Sequence, residues 1–120
     1  MDKIEIVQKL GQEKLVAVIR AESKEQGLKI VQAVVKGGIK FIEVTFTVPG
    51  AATIISELVE KNQDPEVVIG AGTVLDAETA RTAILAGAKF VVSPAFNEGL
   101  VKLANRYPIS STGDYGCIYS

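Results

Sequence analysis

The residues able to do chemistry in this sequence are few, and they gather at the ends of apolar runs. Glu43, Thr45 and Thr47 alternate with Ile42, Val44 and Phe46. An extended segment here therefore has one apolar face and one face carrying a carboxylate and two hydroxyls. A carboxylate on an otherwise buried strand is costly unless it is paired or shifts its pKa. Such a group suits general acid/base work; the plain alternative is a glutamate neutralised by an arginine to tie two strands together. Arg20 ends the run Val16-Ala17-Val18-Ile19, in phase with Val16 and Val18. It is placed to bind an anion or to pair with Glu43, beside the plainer reading of a surface arginine after a strand. In Gly70-Ala71-Gly72-Thr73 the glycines admit a ligand close to the backbone, and Thr73 offers a hydroxyl in the phase of Ile69 and Ala71. The plain alternative there is a tight strand-to-helix turn. The segment lacks the G-x-G-x-x-G continuation of a dinucleotide site. Pro94 stops the run that ends in Ser93, and Asn97 reads as the N-cap of the helix that follows.

Some chemistries are missing. There is no histidine, so Ser-His-Asp or Cys-His activation and the common histidine zinc sites have no candidates. Acid/base work falls to carboxylates, lysines or a bound phosphate. Glu43 is the one carboxylate placed inward at a strand end, so a metal held by carboxylates is not expected; no cofactor is expected either. The single cysteine, Cys117, excludes an internal disulfide framework and fits a reducing compartment.

The elements that position these residues follow from periodicity. Four β-rich apolar runs, 15–19, 41–46, 67–69 and 90–92, begin roughly 25 residues apart, with helical patterns over 24–36, 51–61 and 77–86 between them. Ser23 and Asp76 stand where N-caps belong, and Gly37-Gly38 and Gly87 where helices end. A weak repeat supports this frame: residues 35–42 resemble 85–91, displaced by 50 positions or two strand-helix units. Strict alternation predicts a parallel sheet. A closed (β/α)₈ barrel takes ~200 residues or more, so the fold expected is the parallel (βα)₄ half of a TIM barrel, not closed by this chain alone. Its bounds are 1–109, with the start of a fifth strand near Pro108-Ile109; residues 110–120 read as an irregular tail.

Thirteen basic against fourteen acidic side chains, a net charge of −1 and no basic cluster point away from nucleic acid or an anionic bilayer as partners. No apolar run reaches the ~20 residues of a membrane span, and the start lacks the apolar stretch of a signal peptide, so a cytoplasmic location is expected. Four strands outside a closed barrel leave edges and an apolar face, which predicts self-association into a homo-oligomer.

Glu43-Val44-Thr45-Phe46-Thr47-Val48-Pro49, Ile69-Gly70-Ala71-Gly72-Thr73-Val74 and Phe90-Val91-Val92-Ser93-Pro94 occur in order and at consistent spacing. Over about residues 10–109 the sequence resembles the N-terminal half of the class I aldolases that cleave 2-keto-3-deoxy-6-phosphogluconate (KDPG) or 4-hydroxy-2-oxoglutarate (KHG). The resemblance implies a Schiff-base mechanism yielding pyruvate with glyceraldehyde 3-phosphate or glyoxylate. It gives Glu43 the part of general acid/base and makes Thr73 a contact to the pyruvate moiety of a small keto-acid. Arg20, Thr47 and Pro94 join Thr73 as expected substrate-binding positions, Thr47 standing where many members carry an arginine for the substrate carboxylate. After Ile109 the family's Pro-Gly loop is replaced by Ser110-Ser111-Thr112-Gly113. The nucleophilic lysine and the phosphate-binding glycines are implied to lie beyond residue 120, leaving the chain inactive alone. The competing expectation is a non-catalytic, self-associating half-barrel that binds a small oxo-acid.

Overall fold

In the computed structural model, which describes residues 3–107, 110–112 and 118–119, helices and strands alternate from the start. They are α1 (Lys3–Glu13), β1 (Val16–Ile19), α2 (Lys24–Lys36), β2 (Phe41–Thr45), α3 (Ala51–Lys61), β3 (Val68–Gly72), α4 (Ala77–Ala86), β4 (Phe90–Val92) and α5 (Glu98–Ala104). Two short strands follow, β5 (Ser110–Thr112) and β6 (Ile118–Tyr119). The expected caps form. The Ser23 hydroxyl accepts from the Gln26 N–H at 3.2 Å, Asp76 from Thr79 at 2.7 Å and Asn97 from Leu100 at 2.9 Å. Each satisfies an amide that the first helical turn leaves without a partner. The hydrogen bonds from Thr79 also hold the exposed Asp76 carboxyl below its ordinary pKa.

The sheet runs β1-β2-β3-β4-β5-β6 in chain order; β1 to β5 are parallel and β6 is antiparallel to β5. It is open, with β1 at one edge. This is the (βα)₄ half-barrel architecture, extended by one short parallel strand. Within the tail expected to be irregular, residues 110–112 and 118–119 form two short strands; Pro108 and Ile109, where the fifth strand was expected to start, lie outside the described residues. Strand periodicity was invisible there because Ser110-Ser111-Thr112 has no apolar member.

The two faces of the sheet pack differently. Ile42, Val44, Ile69, Ala71 and Val91 point to the helices and are buried with Ile54, Ile55 and Leu58 of α3. On the inner face Phe41, Val68 and Phe90 form a second cluster, closed at the amino ends of the strands by Ile6 of α1. The Phe41 and Phe90 rings lie 5.7 Å apart and tilted by 43°, a favourable aromatic arrangement. Lys9 of α1 is buried in an ion pair with Glu66, ahead of β3. Sequence periodicity assigns no element to this helix, whose inner contact rests on Ile6 and the part-buried Leu10 while Ile4 stays 67 % exposed.

Ile55 is fully buried between sheet and helices. Ile55→Ala should cost about 2–5 kcal/mol, the range for truncating a well-packed core side chain. Urea unfolding followed by far-UV circular dichroism checks this, and a loss under 1 kcal/mol (roughly a surface effect) would contradict the packing described.

Candidate active site at the carboxyl ends of the strands

Glu43 sits in the middle of β2, opposite Val18 of β1 and Gly70 of β3. Its neighbours Ile42 and Val44 are buried toward the helices, so its side chain is turned to the inner face. There it is half-buried, and burial pushes its carboxyl above the ordinary glutamate pKa. The carboxyl leans across β3: a Cβ built on Gly72 would overlap its Oε1, Cδ and Cγ, the farthest of the three at 2.7 Å. Arg20 is exposed just past the end of β1, and no ion pair joins it to Glu43 among the described residues. The arginine-neutralised alternative is therefore not what forms.

Beyond Glu43 three hydroxyls meet. Thr45, 1 % exposed, donates to Thr73 Oγ1 at 3.2 Å, accepts from the Thr47 backbone N–H at 3.4 Å, and lies 3.1 Å from Thr47 Oγ1. A hydroxyl has one proton. With that of Thr45 directed to Thr73, the Thr47 hydroxyl supplies the proton of its own contact with Thr45. The relay runs Thr47 to Thr45 to Thr73, which leaves the Thr73 proton free to donate to a ligand oxygen, and each link polarises the next.

Alternation along β3 puts Thr73 in the phase of Ile69 and Ala71, which face the helices. The structure places its hydroxyl on the opposite side, against Thr45, because Thr73 has φ +52° and breaks the alternation. A β-branched residue in that left-handed conformation costs about 1–3 kcal/mol and persists only where its surroundings fix it. Here the flanking backbone is held from both sides: the Phe46 N–H donates to the Gly72 carbonyl at 2.9 Å and the Val74 N–H to the Val92 carbonyl at 3.0 Å. Gly70-Ala71-Gly72 itself is not a turn but the buried body of β3.

Thr47 and Thr73 are thus brought together through Thr45, a residue that sequence reasoning placed on the Glu43 face without selecting it. Arg20 and Pro94 lie exposed just beyond β1 and β4, at the same end of the sheet but outside this hydrogen-bonded group. Buried Ser93 turns inward on its own loop, donating to the Ala95 carbonyl at 2.8 Å. A cavity of about 330 Å³ lies elsewhere, between α2 and α3, lined by Leu28, Val31, Val35, Leu58, Val67 and Ile69 among others. Its floor is apolar, with Lys36, Lys61 and Asp64 at its border, and it lies on the helix-facing side of the sheet, opposite to Glu43. Among the described residues no group of three potential metal ligands occurs, and no helix is long and apolar enough to cross a membrane.

A parallel half-barrel with an inward carboxyl and a hydroxyl relay at its strand ends has the layout of a (β/α)₈ enzyme, in which function gathers at that face. A family model described as KDPG and KHG aldolase matches residues 6–112. The chain belongs to that family. It is 40 % identical over 98 residues to the 2-dehydro-3-deoxy-phosphogluconate aldolase of Treponema pallidum, covering 82 % of this chain and 46 % of that protein. To the Haemophilus influenzae enzyme of the same name it is 37 % identical over 108 residues, covering 88 % and 50 %. Among solved structures, the KDPG aldolase of Zymomonas mobilis with 3-phosphoglycerate superposes with a TM-score of 0.79 at 30 % identity, over 91 % of this chain and 51 % of that one. The Legionella pneumophila enzyme, with pyruvate captured as a covalent carbinolamine, gives 0.74 at 30 % identity over 82 % and 47 %. The chain spans about half the length of the relatives it matches.

Proposed function

We propose that this chain supplies the acid/base and pyruvate-binding part of a class I aldolase site. The reaction is cleavage of KDPG to pyruvate and glyceraldehyde 3-phosphate, or of KHG to pyruvate and glyoxylate. The observation that carries the reading is the Glu43 carboxyl, half-buried over Gly72 and without a cation among the described residues, on the strand face where Thr45 meets Thr73. The imine-forming amine comes from a lysine outside these 120 residues. When that amine adds to the C2 carbonyl, Glu43 in its neutral form delivers the proton with which the carbinolamine oxygen leaves as water. As carboxylate it then takes the proton of the C4 hydroxyl while the C3–C4 bond breaks and its electrons pass into the iminium. Thr73 donates to an oxygen of the pyruvate moiety, with Arg20, Thr47 and Pro94 on the rim. The trapped pyruvate of the Legionella relative supports this choice of ligand. The test is imine trapping with and without a complementing half-barrel.

The open edge supports association as well. Val16 and Val18 of β1 are 38 % and 56 % exposed, and among the described residues β1 has no partner on its outer side. An apolar edge strand of this kind invites pairing with another chain. Light scattering on a size-exclusion column at micromolar concentration should show species larger than the 12.7 kDa chain; a stable monomer at that mass would end this part of the proposal.

A further inference from the structure

We infer that Gly72 is the positioning residue for Glu43: the missing side chain at the end of β3 makes the recess in which the acid/base carboxyl lies. The inference rests on the reading of Glu43 as the acid/base group and adds what holds it in place.

Glycine at the end of a strand usually serves the backbone, by supplying a positive φ or a tight turn. Gly72 does neither. Among the described residues the positive-φ glycines are Gly38, Gly50 and Gly87, and the left-handed residue in this turn is Thr73, next door. Gly72 is instead the last residue of β3 in extended conformation, paired with Thr45, its carbonyl accepting from the Phe46 N–H. What remains is space. The volume that a side chain would fill is occupied by Oε1, Cδ and Cγ of Glu43, and no hydrogen bond or ion pair to a described residue holds that carboxyl. β3 and β4 carry no titratable side chain, and β2 none besides Glu43 itself; the charged group nearest along β1 is Arg20, which does not pair with it. The recess alone therefore sets where the carboxyl lies and how far it is withdrawn from water. Gly70, two residues earlier, gives the contrast: its Cβ position is filled by the Phe90 ring, at 2.5 Å, so that glycine serves the hydrophobic floor and not the acid.

The test is a carboxyl NMR titration of Glu43 in the full chain, in wild type, Gly72→Ala and Gly70→Ala. The wild-type midpoint should lie above the ordinary value of about 4.3. Gly72→Ala should return it to about that value, because the methyl group expels the carboxyl into the open mouth. Gly70→Ala should lower stability through Phe90 and leave the Glu43 midpoint where it was. Glu43→Asp, one methylene shorter, should restore the stability lost in Gly72→Ala. If Gly72→Ala does not fold, folding regained in the double variant supports the inference, and a double variant that stays unfolded overturns it. A wild-type midpoint at the ordinary value sinks the acid/base reading itself, whereas a raised midpoint unchanged by Gly72→Ala overturns only the role of Gly72.

Discussion

Borohydride reduction of this chain in the presence of pyruvate should leave its intact mass unchanged. The same treatment, after addition of the separately expressed C-terminal half of a related KDPG aldolase, should give one saturable adduct on the lysine of that half. Imine formation needs a neutral amine held at attack distance, and a lysine of ordinary pKa about 10.4 is neutral in only roughly one molecule in 2,500 at pH 7. A Schiff-base lysine is therefore desolvated and set beside its acid, which in this fold means the carboxyl end of a strand. Strands β1 to β4 end in Ile19, Thr45, Gly72 and Val92, and none carries a lysine there. Lys14, Lys40 and Lys89 precede β1, β2 and β4, at the opposite end of the sheet, and Lys40 is bonded to Asp64 at 2.9 Å. Lys9 is paired with Glu66 at the same end; Lys24 and Lys61 both approach Glu57 at 3.7 Å, and Lys102 pairs with Glu98 at 3.1 Å on α5. Lys29 and Lys36 ride on α2, and Lys3 reaches Asn105 at 2.8 Å. A single saturable adduct on the 120-residue chain alone would overturn the account, and the modified lysine would then be the nucleophile.

How much of this was legible in the sequence depends on whether one local signal or several segments fix a feature. Helices α2 and α4 begin and end where Ser23, Gly37-Gly38, Asp76 and Gly87 place them, because capping is decided within four residues. The inward phase of Glu43 was equally readable, since Ile42 and Val44 declare the other face. What could not be read is what β2 meets. Gly70-Ala71-Gly72 has the composition of a turn, yet it is strand, because Phe90 and Glu43 fill the space its side chains would need. The orientation of Thr73 depends on a positive φ, flanked by hydrogen bonds from Phe46 and to Val92, so its phase with Ile69 and Ala71 does not give the face of its hydroxyl. Thr45 became a site residue only once Thr47 and Thr73 were seen on either side of it. Helix α1 shows no clear apolar face in the sequence because only Ile6 and the part-buried Leu10 make its contact with the inner core.

Glu43→Gln should lower the rate of imine formation in the complemented assembly by about 10²–10⁴-fold, the usual contribution of a positioned general acid or base, while pyruvate still binds. Glutamine keeps the shape that fills the recess over Gly72 and still offers polar atoms, but it can neither give up nor take a proton. The same substitution has a signature in the chain alone, and its sign follows from burial. Folding raises the Glu43 pKa, so between the unfolded value of about 4.3 and the raised folded value the native chain binds more protons than the unfolded one. That contribution favours the fold at low pH, weakens as pH rises through the window, and is gone above the folded pKa. Glu43→Gln removes it. Urea midpoints of wild type and variant should therefore diverge with rising pH, the variant gaining relative to wild type at pH 7 compared with pH 4. If the difference is constant across that range, Glu43 ionises as freely in the folded chain as in the unfolded one. A carboxyl so freely ionised would carry no neutral form at pH 7 with which to protonate a carbinolamine, and the thousandfold-scale loss expected of Glu43→Gln would shrink with it.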